Sequence, residues 1–179
     1  MLNYAGDDLP AIYVRALNVV TVAAGLEDGA LGSLLELQPS TAAEGLIQES
    51  RKEIQKSGRN LEARLKKYYQ LLCSQRNHKA VILRPSLAEK RAAGVIPKPT
   101  AKVRGYYSSS WMASVSREEQ RALTTISTRK IRELRALING SRNILEITRI
   151  LDAEYEAPTR LQDVMNYLTL LQKAGLVEM

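Results

Sequence analysis

No phenylalanine occurs among the 179 residues, and cysteine, histidine and tryptophan occur once each. Without Phe the core has to be assembled from Leu, Ile, Val and Ala with some of the eight Tyr, a palette that suits helix on helix better than a β-sandwich. The single Cys73 cannot close an intramolecular disulfide and reads as a buried structural thiol. One His and one Cys cannot assemble the common zinc sets within the chain, so His78 reads as a surface residue at a helix end. Phosphate-cradling loops of the G-x-x-x-x-G-K and G-x-G-x-x-G types are missing. The carboxylate pairs Asp7-Asp8 and Glu118-Glu119 sit where helix starts favour negative charge, and capping accounts for them. No catalytic residue, metal ligand or cofactor is therefore expected. Long apolar runs are lacking too. The longest, residues 16–26, is well short of the ~20 residues that cross a bilayer, and no basic start precedes a cleavable signal. These absences predict a cytoplasmic chain with no membrane association.

What is present points to a folded, mostly helical protein. Hydrophobic residues make up 45% of the chain and charged ones 25%, an ordinary globular balance that excludes wholesale disorder. The net charge of +7 is unevenly placed. Residues 1–50 hold one base against seven acids, a net −6. Residues 51–79 hold nine bases against two acids (+7), residues 80–115 six against one (+5), and residues 116–179 ten against nine (+1). The basic middle faces an acidic start that is able to neutralise part of it by packing nearby.

Asp8 and Pro10 mark a helix start, and the apolar run 11–24 is expected to end at Gly25, a natural residue just past a helix. A short apolar piece, 33–37, follows. Thr41 and Glu44 have capping-box spacing and open a long helical pattern to about Gln75. Along it Ile47, Ile54, Leu61 and Tyr68 recur every seven residues, with Leu65 and Leu72 interleaved, forming a narrow packing seam with Lys and Arg on the other sides. Its expected partner is the first helix, through Ile12, Val19 and Val20, or the same stripe in a second copy. Gly58 costs about 1 kcal/mol relative to Ala, so the pattern allows one bent helix or a helix pair.

Residues 84–115, with Pro85, Pro97, Pro99, Gly94 and Gly105, read as a basic connector. Tyr106, Tyr107 and Trp111 argue that it is draped over a neighbour, since exposed rings forfeit burial energy. Ser116 and Glu119 then have capping-box spacing and open a predicted helix through Leu123, Ile126, Ile131, Leu134 and Ile138 to an Asn139-Gly140 stop. A second helix is predicted from about Arg142 to Glu154, and a third from Pro158-Thr159, with Gln162 completing a capping box, to Gly175. Leu176-Val177 reads as a short extended piece. The domain reading is thus 1–83, 84–115 and 116–179, and the fold class mainly all-α. Three helices and a terminal strand follow the order of a winged-helix, helix-turn-helix-like module. Its third helix would present Arg160, Gln162, Asn166, Thr169 and Lys173, side chains able to meet bases or phosphates. With a regional charge of only +1, protein contact is preferred over DNA reading.

The residues Ile96-Pro97-Lys98, Gly105, Leu137-Ile138-Asn139-Gly140-Ser141-Arg142-Asn143-Ile144-Leu145-Glu146-Ile147, and the stretch 163–177 carry a resemblance. Together they are similar to the C-terminal region of aminopeptidase-like zinc metallopeptidase family proteins, where a helical stretch leads into a terminal winged-helix-like domain. About half of this chain is covered. Asn/Asp-Gly-x-Arg segments also occur in small peptide-chaperone domains. The family's two zinc ions are held by His, Asp and Glu residues that match no position here, so the resemblance implies a non-catalytic accessory module. A small winged-helix DNA-binding regulator is the alternative. The expected partner is a protein or a second copy through the long helix, with nucleic acid second.

Overall fold

The computed structural model describes residues 8–103, 111, 115, 116, 118, 126–155 and 158–179. The chain is mainly helical, with one two-stranded sheet among the described residues. It divides into two compact units, Met1–Leu83 and Arg84–Met179.

The first unit is an antiparallel helix pair. Helix α1 spans Leu9–Ser33 and runs into a 3-10 turn, Leu34–Leu37; helix α2 spans Thr41–Gln75. Asp8 stands before α1 in extended conformation without a side-chain cap bond, and Pro10 lies in the first turn. The expected stop at Gly25 is corrected, because α1 continues through Gly25, Gly29 and Gly32. Glycine is a favoured helix stop chiefly where the chain turns left-handed just past the last turn. None of these three has a positive φ, and packing along α2 outweighs the roughly 1 kcal/mol helix cost of each. The extra length changes the hydropathy reading. Residues Leu9–Leu37 are long and apolar enough to cross a membrane by length and composition, with a mean hydropathy of 1.5 over their most apolar 18 residues.

Helix α2 starts one residue earlier than its capping-box spacing suggests. Ser40, not Thr41, takes the extended cap position and accepts from Ala43 N at 3.4 Å. The helix then passes through Gly58 unbroken. A Cβ at Gly58 would lie 2.9 Å from Ala24 Cβ, so the missing side chain is what lets the two helices touch. Its end is sealed by Asn77 at φ 53. His78 N donates to Cys73 O at 2.8 Å and Asn77 N to Ser74 O at 3.1 Å, the paired bonds of a Schellman stop.

The second unit contains α3 (Leu87–Ala93), β1 (Lys98–Pro99), α4 (Thr128–Leu137), α5 (Ile144–Glu154), α6 (Leu161–Lys173) and β2 (Val177–Glu178). The stretch read as a connector therefore supplies a helix and a strand to this unit. Ser86 and Glu89 cap α3 reciprocally, at 3.2 and 2.8 Å. β1 pairs antiparallel with β2, Lys98 opposite Glu178 and Pro99 opposite Val177. Leu134 of α4, Ile147 and Leu151 of α5, Val164, Leu168 and Leu171 of α6, and Val177 of β2 are wholly buried together with Tyr167 and Pro97.

The helix expected from Ser116 to Ile138 is also corrected. Ile126 is buried but not helical, and α4 begins only after Ser127, whose extended backbone lets its hydroxyl accept from Lys130 N at 3.4 Å. A local serine-to-backbone bond thus competes with continued helix. Glu119 and Leu123 lie outside the described residues. At α6 the cap residue is Arg160, with no side-chain cap bond, rather than Thr159. Thr159 is engaged elsewhere: its N donates to Asp152 Oδ1 at 3.0 Å and its hydroxyl accepts from Lys130 Nζ at 2.8 Å. The Gly175 stop holds, with φ 70 and Leu176 N donating to Leu171 O at 2.9 Å.

Candidate functional site

In the helix pair, α1 and α2 meet along a seam that can be followed residue by residue. Tyr13 stacks flat on Tyr69, ring centroids 4.3 Å apart. Thr21 donates to Glu62 at 2.7 Å, Ala24 abuts Gly58, and Asp28 accepts from Arg51 Nε and Nη2 at 3.0 Å each and from Gln55 at 3.2 Å. The Arg51 guanidinium holds the Asp28 carboxyl below its ordinary pKa, while Asp28 raises that of Arg51. Tyr69 is buried, and its hydroxyl accepts from Val81 N at 3.1 Å.

Ile47, Ile54, Leu65 and Leu72 lie half-buried on this seam. Leu61 and Tyr68 do not join them; they are 46% and 61% exposed. The residues that face α1 run through Ile54, Gly58, Glu62, Leu65, Tyr69 and Cys73, an 11-residue repeat. A straight helix drifts by about 20° over 11 residues from that repeat, a slower drift than the roughly 20° over seven residues of a strict heptad. On α1, Ile12 and Val19 are exposed and Val20 is half-buried.

The two flanks of this pair differ. With each residue turning the helix by about 100°, Thr21, Asp28, Gln55 and Glu62 fall on one flank, bridged by the polar bonds above. Ile12 and Val19 of α1 and Leu61 and Tyr68 of α2 fall on the other, where large apolar side chains meet solvent.

In the second unit, Arg160, Gln162, Asn166, Thr169 and Lys173 are all exposed. The last four share one face of α6 at 4-3-4 spacing, opposite its buried Val164, Tyr167, Leu168 and Leu171. Three of them are joined by local bonds: Gln162 donates to Asn166 Oδ1 at 2.8 Å, and Thr169 to Met165 O at 2.9 Å. The Asn-Gly-Ser-Arg-Asn motif is a built turn. Asn139 Oδ1 accepts from Ser141 N, Ser141 Oγ and Arg142 N at 3.0, 2.8 and 3.3 Å. Gly140 takes φ 77, and Asn143 and Glu146 form a capping box at 2.9 Å both ways. Every polar residue of the motif that these bonds engage has a folding role.

A cluster that the sequence did not signal lies beside α6. Trp111, buried, meets Tyr167 edge-on at 6.3 Å, and Arg135 lies 5.9 and 5.8 Å from the two rings. Arg135 Nε donates to Tyr167 Oη at 2.6 Å. Burial raises the Tyr167 pKa, and the Arg135 bond partly opposes that rise. Tyr106 and Tyr107 lie outside the described residues.

An open groove of about 570 Å³ runs between Thr100, Lys102, Gln172, Gly175, Val177 and Glu178, and the Thr100 hydroxyl is engaged within it, donating to Gly175 O at 2.8 Å. Among the described residues no three His, Cys, Asp or Glu side chains cluster as metal ligands. His78 is exposed and Cys73 buried. Desolvation, with Glu133 nearby, raises the Glu154 pKa, and the Ser86 backbone N–H lowers that of Glu89. Compared with protein-family models, curated proteins and solved structures, the chain matches none.

Proposed function

We propose that this protein is a non-catalytic packing module, a cytoplasmic accessory chain whose work is to hold another protein surface. The observation that carries the reading is the helix pair. Of its described residues only Gly58, Tyr69 and Cys73 are buried, while Ile12, Val19, Leu61 and Tyr68 stand in solvent on one flank. A two-helix unit with so little core needs a covering surface to be stable. The resemblance to the C-terminal region of aminopeptidase-like zinc metallopeptidases fits this role, and three packed helices followed by the short strand Val177–Glu178 support a winged-helix-like second unit. Metal analysis and peptide hydrolysis on the purified chain test the reading. Neither stoichiometric zinc nor hydrolysis is expected; tightly bound zinc, or turnover lost on chelation, would overturn it.

A second reading, a DNA-binding regulator, is favoured by one observation, the outward row Arg160, Gln162, Asn166, Thr169 and Lys173. At about 150 mM salt, where exposed charges are already screened, only weak and salt-sensitive duplex binding is expected. Sequence-selective nanomolar binding lost on Arg160→Ala or Asn166→Ala would favour the regulator instead.

A further inference from the structure

We propose that two copies of this chain pair through the apolar flank of the helix hairpin, α1 against α1, so that α1 becomes an inner helix and α2 an outer one. This rests on the reading of the chain as a packing module and names its partner.

Helix α1 is apolar on more than the side that α2 covers. Besides the seam residues Tyr13 and Ala24, it carries Leu9, Ile12, Ala16, Val19, Ala23, Leu26 and Ala30 at unbroken 3-4 spacing. That row lies roughly a third of a turn from the seam. No residue of α1 is buried. A helix apolar on two sides belongs in the middle of a bundle, and one neighbour leaves α1 at the edge. Helix α2 differs, carrying seven Lys/Arg between residues 51 and 67 and reading as an outer helix.

Three arguments point to a second copy. First, the row from Leu9 to Ala30 bears no charge. Arg15 and Glu27 flank the row on its two edges with opposite signs, so two copies bring no net charge to the contact. Second, Ala16, Ala23 and Ala30 recur every seven residues. A twofold axis sets identical small-residue rows against each other and lets the two backbones approach closely. Third, the area suffices. The row is roughly 30 Å long at 1.5 Å per residue. Leu61 and Tyr68 widen it onto the second helix over about a third of that length, which brings the contact toward the ~800 Å² per partner of a stable interface. Two hairpins so joined make a four-helix bundle. A bilayer is the poorer occupant, because the opposite flank carries the Asp28–Arg51 ion pair at 3.0 Å and lipid offers such a flank no solvation.

Sedimentation velocity of the full chain over a concentration series tests the pairing. Wild type is expected to sediment at twice the chain mass. Val19→Asp should sediment at the chain mass with its far-UV circular dichroism intact, because Val19 lies off the α1–α2 seam. Leu61→Asp, on the other helix of the same flank, should do the same and decides the matter if Val19→Asp fails to fold. Val14→Asp, equally exposed at 43% but on the polar flank, should leave the dimer unchanged. A wild-type monomer at every concentration would overturn the pairing, as would a dimer indifferent to both flank variants. Partition of wild type into phosphatidylcholine vesicles as a monomer would overturn it in favour of a bilayer. None of these outcomes alters the zinc and hydrolysis test, so pairing and module fail separately.

Discussion

The two units of this chain are stabilised in opposite ways. Residues 84–179 bury a shared set of Leu, Ile, Val and Tyr side chains contributed by α4, α5, α6 and β2. The hairpin holds a line of one-to-one contacts instead, in which a stacked Tyr pair, an Ala against a Gly and an Asp against an Arg replace a core. The difference teaches where substitutions hurt. In a core each side chain is shared among many neighbours, whereas on a two-helix seam each position has one or two opposite numbers.

The sequence supplies a private reporter for each unit. Trp111, the only tryptophan, lies buried in the second unit, and Cys73, the only thiol, lies buried in the first. The largest expected effect is Leu151→Ala, at a site with no solvent exposure. It should destabilise the second unit by about 2–5 kcal/mol, seen as an earlier urea midpoint in Trp111 fluorescence. Leu65→Ala, at a half-buried seam site, should cost less than half as much, and equal costs would abolish the contrast. Gly58→Ala inverts a familiar rule. In an exposed helix Gly→Ala gains roughly 1 kcal/mol, and Gly45→Ala, with open space around it, should behave so. At Gly58 the new methyl meets Ala24 Cβ at 2.9 Å, and a net loss of about 1–3 kcal/mol is expected. It should show as faster labelling of Cys73 with the Trp111 transition unmoved. Asn143→Ala removes a reciprocal cap and should cost the second unit about 1 kcal/mol.

The smallest effect is a pH dependence confined to the hairpin. The hydrogen bonds from the Arg51 guanidinium hold the folded Asp28 carboxyl below its ordinary pKa. Its contribution is therefore fully present above the unfolded value and is lost as pH falls through the folded one. Acidification from 5 toward about 2 should speed Cys73 labelling in wild type more than in Asp28→Asn. An identical response in both would show that the Arg51 contact adds nothing.

Local chemistry made much of this legible in the sequence. The Asn139-Gly140 turn, the Gly175 stop, the helix ending near Gln75 and the exposed row on α6 follow from residue types within a few positions of one another. What escaped depended on distant neighbours. Gly25 looked like a stop because α2, which holds α1 helical beyond it, is not visible from residues 20–30. Leu61 and Tyr68 looked like seam residues because a seven-residue count was applied to a helix that keeps an 11-residue one. The Trp111–Tyr167–Arg135 cluster joins residues far apart in the chain and leaves no spacing to read. The exposed row on α6 was legible as a surface; what it touches was not.

The β1–β2 pairing has a consequence for the order in which the second unit is made. It joins Lys98 to Glu178 across eighty residues, and the entropy of closing a loop grows with its length. Two residues per strand give little in return. The α4, α5 and α6 contacts are far more local, and local contacts form first in rate terms. The strand pair is thus a late latch, closing on helices that have already met. During synthesis β1 must wait for nearly the whole unit to be translated before its partner exists.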